Sequence, residues 1–242
     1  MAAEKYLIVN ADDFGQSCGV NRGIIEAHER GILTSASLMT RWPAAGEAAL
    51  YAKEHPKLSL GLHVDFGEWA YRNAAWVPLY KVVPLEHTKS VEAEVFHQLT
   101  TFRRLLGKNP THIDSHQHFH LREPARAIVV ETAHNIGVPL RHCSSKVRYC
   151  GDFYGQSAEG AQLPELISVD HLLTILAALP TGCTELGCHP GEGNDLETMY
   201  VSERAKEVKV LCDPRVRAAI AAMEIELWSF NDIVIGSTGE KP

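Results

Sequence analysis

Short apolar runs alternate with amphipathic helical stretches from Tyr6 to Trp228, and this repeated strand-then-helix order admits few folds. Strand candidates are Tyr6–Val9, Ser35–Met39, Leu58–His63, Thr111–Asp114, Val138–Arg141, Cys183–Cys188 and Glu226–Trp228. Helical periodicity falls between them, at Val20–Arg30, Ala44–Lys53, Val91–Leu106, Glu123–Asn135, Ser168–Leu179, Ser202–Cys212 and Pro214–Met223. Gly31 and Gly107 stop two of these helices, and Pro124 suits the first turn of a third. Such an order predicts parallel strands joined by helical crossovers, and with this many strands a distorted (β/α) barrel rather than an open doubly wound sheet. The 242 residues show no break in composition, so one domain over 1–242 is expected, with a core large enough to need no disulfide or structural metal. Gly67–His87, rich in Trp, Tyr and Pro, reads as a long irregular loop of the kind that usually serves function, and glycine-rich Ser144–Leu163 takes no assignment.

Several functional classes are excluded or disfavoured. A formal net charge of −7 and the absence of a basic stripe argue against nucleic acid as a partner. There is no GxGxxG and no P-loop motif, which removes the usual nucleotide readings. The first residues carry too short an apolar run for a secretory signal, and no stretch approaches a membrane span. Six cysteines without a C-x-x-C pair fit reduced thiols, so a cytoplasmic setting is expected.

What remains is where the polar residues stand. Asp12 and Asp13 follow the first strand, His63 ends the third, His116, His118 and His120 follow Thr111–Asp114, and His189 follows Cys183–Cys188. In a parallel barrel all these strand ends lie on one face, the face that carries active sites. A buried structural histidine accounts for any one of them, and for His63 alone it is the better account; it accounts poorly for four segments at once. Two imidazoles and a carboxylate form a common catalytic ligand set with positions left for water. Neighbouring Asp12 and Asp13 point different ways, so one can bind an ion while the other faces substrate. H-x-H-x-H on an extended segment would place all three rings on one face, and strand-end position favours His116. Trp69, Tyr71 and Trp76 could stack on a sugar, although packing against the barrel rim is the commoner use of such rings. Arg141 ends a strand candidate and could orient Asp12, or form a surface ion pair of little value.

The segments LIVNADDFG, GILTS, GLH, THIDSHQHFH and CHPG, in this order, resemble the YdjC-like carbohydrate deacetylases, a family that includes chitooligosaccharide deacetylases. The resemblance runs from near Tyr6 to His189. It implies a distorted barrel similar to the NodB-type polysaccharide deacetylases, with Asp13, His63 and His116 as metal ligands, Asp12 as general base and His189 as general acid. It implies a metal-dependent hydrolase that removes acetyl groups from N-acetylated sugars. After His63 the chain departs from the chitooligosaccharide enzymes, reading Val64-Asp65-Phe66-Gly67-Glu68-Trp69 where they are more apolar. That segment bears on which sugar is bound.

The expected cofactor is therefore one divalent ion. Imidazoles suit zinc, an oxygen-rich remainder admits manganese or cobalt, and the resemblance adds magnesium. A small carbohydrate is the expected partner, His118, His120, Asp65, Trp69 and Arg141 are candidate substrate contacts, and a homodimer is an open possibility. Two other readings stand beside this one: a hydrolase of another amide or a phosphoester, with His118 and His120 serving a second ion, and a non-catalytic sugar- or metal-binding barrel.

Overall fold

The computed structural model describes residues 4–193 and 195–233. Strand β1 (Lys5–Phe14) leads into helix α1 (Cys18–Arg30), followed by β2 (Ser35–Leu38), α2 (Ala45–Glu54) and β3 (Ser59–Val64). Next come β4 (Gly67–Arg72), β5 (Ala75–Lys81), α3 (Thr88–Leu106), β6 (Ile113–Ser115) and α4 (Ala125–Ile136). The chain continues through β7 (Val147–Cys150), α5 (Val169–Ala178), β8 (Gly182–Cys188), α6 (Ser202–Leu211), α7 (Pro214–Ala222) and β9 (Ile225–Trp228). No helix of the described residues is long and apolar enough to cross a membrane.

Seven strands form one parallel sheet in the order β6-β3-β2-β1-β8-β7, with β9 alongside β1. β1 is central and carries two neighbours on one edge: β9 pairs with Lys5–Ile8, and β2 with the register from Asn10 onward. Covered on both faces, β1 is a continuous buried run from Leu7 to Phe14, as central parallel strands are. The sheet curls into a half-barrel ringed by helices, the distorted (β/α) barrel expected.

The helices follow from local chemistry. Ser17 caps α1 by accepting from the Val20 amide, and Ser168 caps α5 in the same way at His171. α3 ends at Gly107, where φ is 73°, a conformation that costs glycine little. Its buried side is Val91, Val95, Leu99, Phe102 and Leu106, one stripe at helical spacing laid against the sheet. α1 packs still closer: a Cβ on Gly23 would lie 2.3 Å from the Gly191 Cα, so only a bare backbone lets the loop after β8 settle against the helix.

Two expectations need correction, and the unassigned stretch gains a strand. Gly67–His87 is not an irregular loop, because β4 and β5 pair as an antiparallel hairpin, turning at Asn73 and Ala74 with φ of 52° and 59°. Val138–Arg141 is not a strand: Pro139 offers no amide donor, and only Leu140 bridges to Ile113. The strand lies instead at Val147–Cys150, inside the unassigned glycine-rich stretch.

Candidate active site

The C-terminal ends of β1, β3, β6 and β8 open into a cavity of about 820 Å³, lined by Asp12, Asp13, His63, His116 and His189 among others. Of the seven residues expected from strand-end position, six line this cavity and His120 does not; Asp12, Asp13 and His63 sit within the last residues of β1 and β3 rather than after them. Asp12 and Asp13 diverge, Asp12 toward Arg141 and Asp13 toward His63 and His116. Asp13 adopts φ of 68°, unusual for a residue with a Cβ, and this turn aims its carboxylate at the two imidazoles.

Asp13 Oδ1 lies 2.9 Å from His116 Nδ1 and 3.3 Å from His63 Nε2. His63 Nδ1 is 2.7 Å from Asp114 Oδ1, while its Nε2 is buried without a hydrogen-bond partner. A carboxylate behind one ring nitrogen, with the other nitrogen bare, is how ligating histidines are commonly oriented. Donor atoms of Asp13, His63 and His116 all lie within 4.8 Å of one another, so these residues fit a divalent ion with open positions. Asp12, His63 and Asp114 form a second compact group, but the carboxylates of Asp12 and Asp114 are already paired with Arg141.

The electrostatics follow from burial and pairing. Burial alone would raise Asp13, but His116 and Arg204 outweigh it and hold the carboxyl well below the ordinary range. Burial likewise opposes protonation of His63, yet Asp114 and Asp12 raise its pKa to about 10. Asp12 is buried too, and the Arg141 guanidinium overcomes that burial and holds it below the usual carboxylate value. His189 Nε2 stands 3.8 Å from Asp12 Oδ2. Burial pushes the His189 imidazole down to about 4, so the resting ring is neutral.

Arg141 is neither at a strand end nor on the surface. It grips Asp12 with two nitrogens at 2.6 and 2.7 Å, donates to Glu185 Oε1 at 2.6 and 2.9 Å, and pairs with Asp114 Oδ2 at 2.8 Å. It orients Asp12 rather than meeting solvent. Burial lifts the neighbouring Glu185 to about 7.

The candidate substrate contacts divide. His118 lines the cavity with its Nδ1 unpartnered, and half-buried Trp69 lines it while packing on Phe119 at a 4.7 Å centroid distance. His120 does not reach the cavity. Residues 116–121 form a 3-10 turn in which Gln117 and His118 take positive φ, so alternate rings do not share a face. His120 instead turns inward, Nδ1 at 2.7 Å from the Ser115 hydroxyl and Nε2 at 3.1 Å from the Arg141 carbonyl. With both nitrogens engaged, it can contact neither substrate nor a second ion. Asp65 is also spent internally, accepting from Trp42 Nε1, the Gly67 amide and the Tyr80 hydroxyl at the foot of the hairpin.

Glu68, in the segment expected beside the site, reaches the proposed ligands, and four further contributors, Asp114, Glu185, Arg204 and Gln117, were not foreseen. Glu68 in β4 brings a carboxylate oxygen to 3.6 Å from His116 Nε2. Asp114 and Glu185 are acidic residues fully buried within β6 and β8, where both pair with Arg141. Arg204 of α6 reaches Asp13 Oδ2 at 2.7 Å. Gln117 joins hairpin to barrel by accepting from the Trp69 amide at 3.0 Å and donating to the Trp69 carbonyl at 2.8 Å.

An open parallel barrel with two histidines, an acidic pair and a further histidine at its strand ends defines the class. The YdjC-like protein family model matches residues 6–222, and the chain belongs to this family. The carbohydrate deacetylase of Geobacillus stearothermophilus is 32% identical, over 94% of this chain and 98% of the relative. The chitooligosaccharide deacetylase of Serratia marcescens is 31% identical, over 95% of this chain and all (100%) of the relative. Among solved structures, a protein from Enterococcus faecalis V583 described as a candidate cellobiose-phosphate cleavage protein superposes with a TM-score of 0.74 at 25% identity, covering 95% of this chain and 98% of that one.

Proposed function

We propose that this protein is a metal-dependent carbohydrate deacetylase that hydrolyses the acetamide of an N-acetylated sugar to acetate and a free amine. The observation that carries the reading is the convergence of His63, His116 and Asp13 beside Asp12, a carboxylate outside that trio and held separately by Arg141. Asp13, His63 and His116 would hold one divalent ion; zinc, magnesium, manganese and cobalt all suit such a set. When bound, the ion would polarise the acetamide carbonyl and acidify a water.

The protein's own groups supply the rest. Asp12, ionised at neutral pH, accepts the proton of the attacking water, and the Arg141 fork keeps its carboxylate from rotating. His189 is neutral at rest, so the proton it passes to the departing nitrogen has to come from the attack itself. Its Nε2 lies 3.8 Å from the Asp12 oxygen that would have taken that proton. His118 and Trp69 on the cavity wall are placed to meet the sugar.

The names of the relatives support this substrate class. A phosphoester reading with a second ion loses support because His120 is fully engaged. Incubation with a panel of N-acetylated mono- and oligosaccharides should release acetate, cease after chelation, and resume on addition of a divalent ion. Acetate release that survives exhaustive chelation would overturn the metal-dependent reading, and no release from any sugar would overturn the deacetylase reading.

A further inference from the structure

Asp13 is the sole carboxylate in the proposed ligand set, and its two oxygens have different partners. Oδ1 faces the imidazoles of His116 and His63. Oδ2 accepts from Arg204 Nη2 at 2.7 Å. Arg204 enters from α6, 191 positions along the chain, and its side chain is only 2% exposed. It is not free to swing away, because Nε donates to the Tyr200 carbonyl at 3.0 Å and Nη1 to the His189 carbonyl at 3.4 Å. Three residues on, and so on the same side of the helix, Glu207 accepts from the His189 amide, and one face of α6 braces the ends of both β1 and β8.

We propose that Arg204 is a positioning residue that withholds one Asp13 oxygen from the ion, making Asp13 a one-oxygen ligand. The inference rests on the ligand set proposed above. A carboxylate that shares its charge with a guanidinium donates less to an ion than one that chelates it. The ion is then more electrophilic and keeps another position for water or a carbonyl oxygen. Arg204 also places a positive charge next to the site, which opposes cation binding. The arrangement exchanges affinity for reactivity, whereas a merely structural Arg204 would support affinity.

The two roles predict opposite signs. Metal-free wild-type, Arg204→Met, Arg204→Gln and Arg204→Lys proteins would be titrated with Co²⁺ by calorimetry and by visible absorption, with circular dichroism to establish folding. Met and Gln should bind Co²⁺ roughly tenfold or more tightly than wild type, the direction expected when a nearby like charge is removed. Their visible bands should weaken as Oδ2 joins the coordination shell. Lys retains the charge and a single donor, and should stay within about twofold of wild type with the same spectrum. The Gln variant decides the matter if Met fails to fold. Unchanged or weaker binding by the folded Met or Gln variant, with an unchanged band, would overturn the role of Arg204 alone. No Co²⁺ binding by wild type would overturn the ligand set and this inference with it.

Discussion

Replacing Asp12 with Asn is expected to lower acetate release by about 10²- to 10⁴-fold while leaving the divalent ion in place. Asn matches Asp in shape but cannot accept a proton from water. Asp12 lies outside the Asp13–His63–His116 set, and its remaining amide oxygen can still meet Arg141 Nη2, which now stands 2.7 Å from Asp12 Oδ1. The substitution therefore removes the proposed base and one arm of the Arg141 fork while leaving the three proposed ligands in place. Metal content and turnover number measured on the same preparation separate the two effects. A wild-type rate with the ion bound would rule out Asp12 as the base, and a lost ion would make it part of the metal centre.

Arg141→Leu is expected to be the most destabilising single change in the site. The side chain is 1% exposed and is the counter-charge for three buried carboxylates, Asp12, Asp114 and Glu185. Removing one partner from a buried ionic group typically costs about 3–5 kcal/mol, because the charges left behind remain desolvated. A whole domain is stable by only about 5–15 kcal/mol, so such a loss takes a large share of it. Glu185 provides some relief: burial already holds its pKa at about 7, and it can take up a proton when the guanidinium goes. Arg141→Lys should recover part of the loss, since one ammonium cannot reproduce a fork that touches three acids. Urea unfolding midpoints measure both variants, and a Leu variant within about 1 kcal/mol of wild type would show that the cluster does not depend on Arg141.

The barrel and the heart of the site were legible because both follow from one rule. Parallel strands deliver their C-terminal ends to a common face, so Asp12, Asp13, His63, His116 and His189 could be gathered without knowing a single contact. The hairpin was hidden by its turn: Asn73-Ala74 takes the left-handed conformations that usually advertise themselves as Asn-Gly. β7 is a four-residue strand of mixed polarity, VRYC, too short for periodicity to register. His120 was misplaced because H-x-H-x-H reads as extended, whereas the positive φ at Gln117 and His118 makes it a turn. Arg204 was out of reach altogether. In Ser-Glu-Arg-Ala-Lys-Glu-Val-Lys it looks like one more charge on a solvated helix, and only the packing of α6 against the ends of β1 and β8 sets it apart.

Under the proposed function, Asp13, His63 and His116 would hold one divalent ion that deacetylation requires. The most direct test is the metal content of the purified protein after loading and desalting, measured by elemental analysis beside the His63→Ala variant. Close to one ion per chain is expected in the wild type, and loss of that ion in the variant. A wild type that carries no ion or carries two, or a variant that keeps its ion without His63, would contradict the proposal.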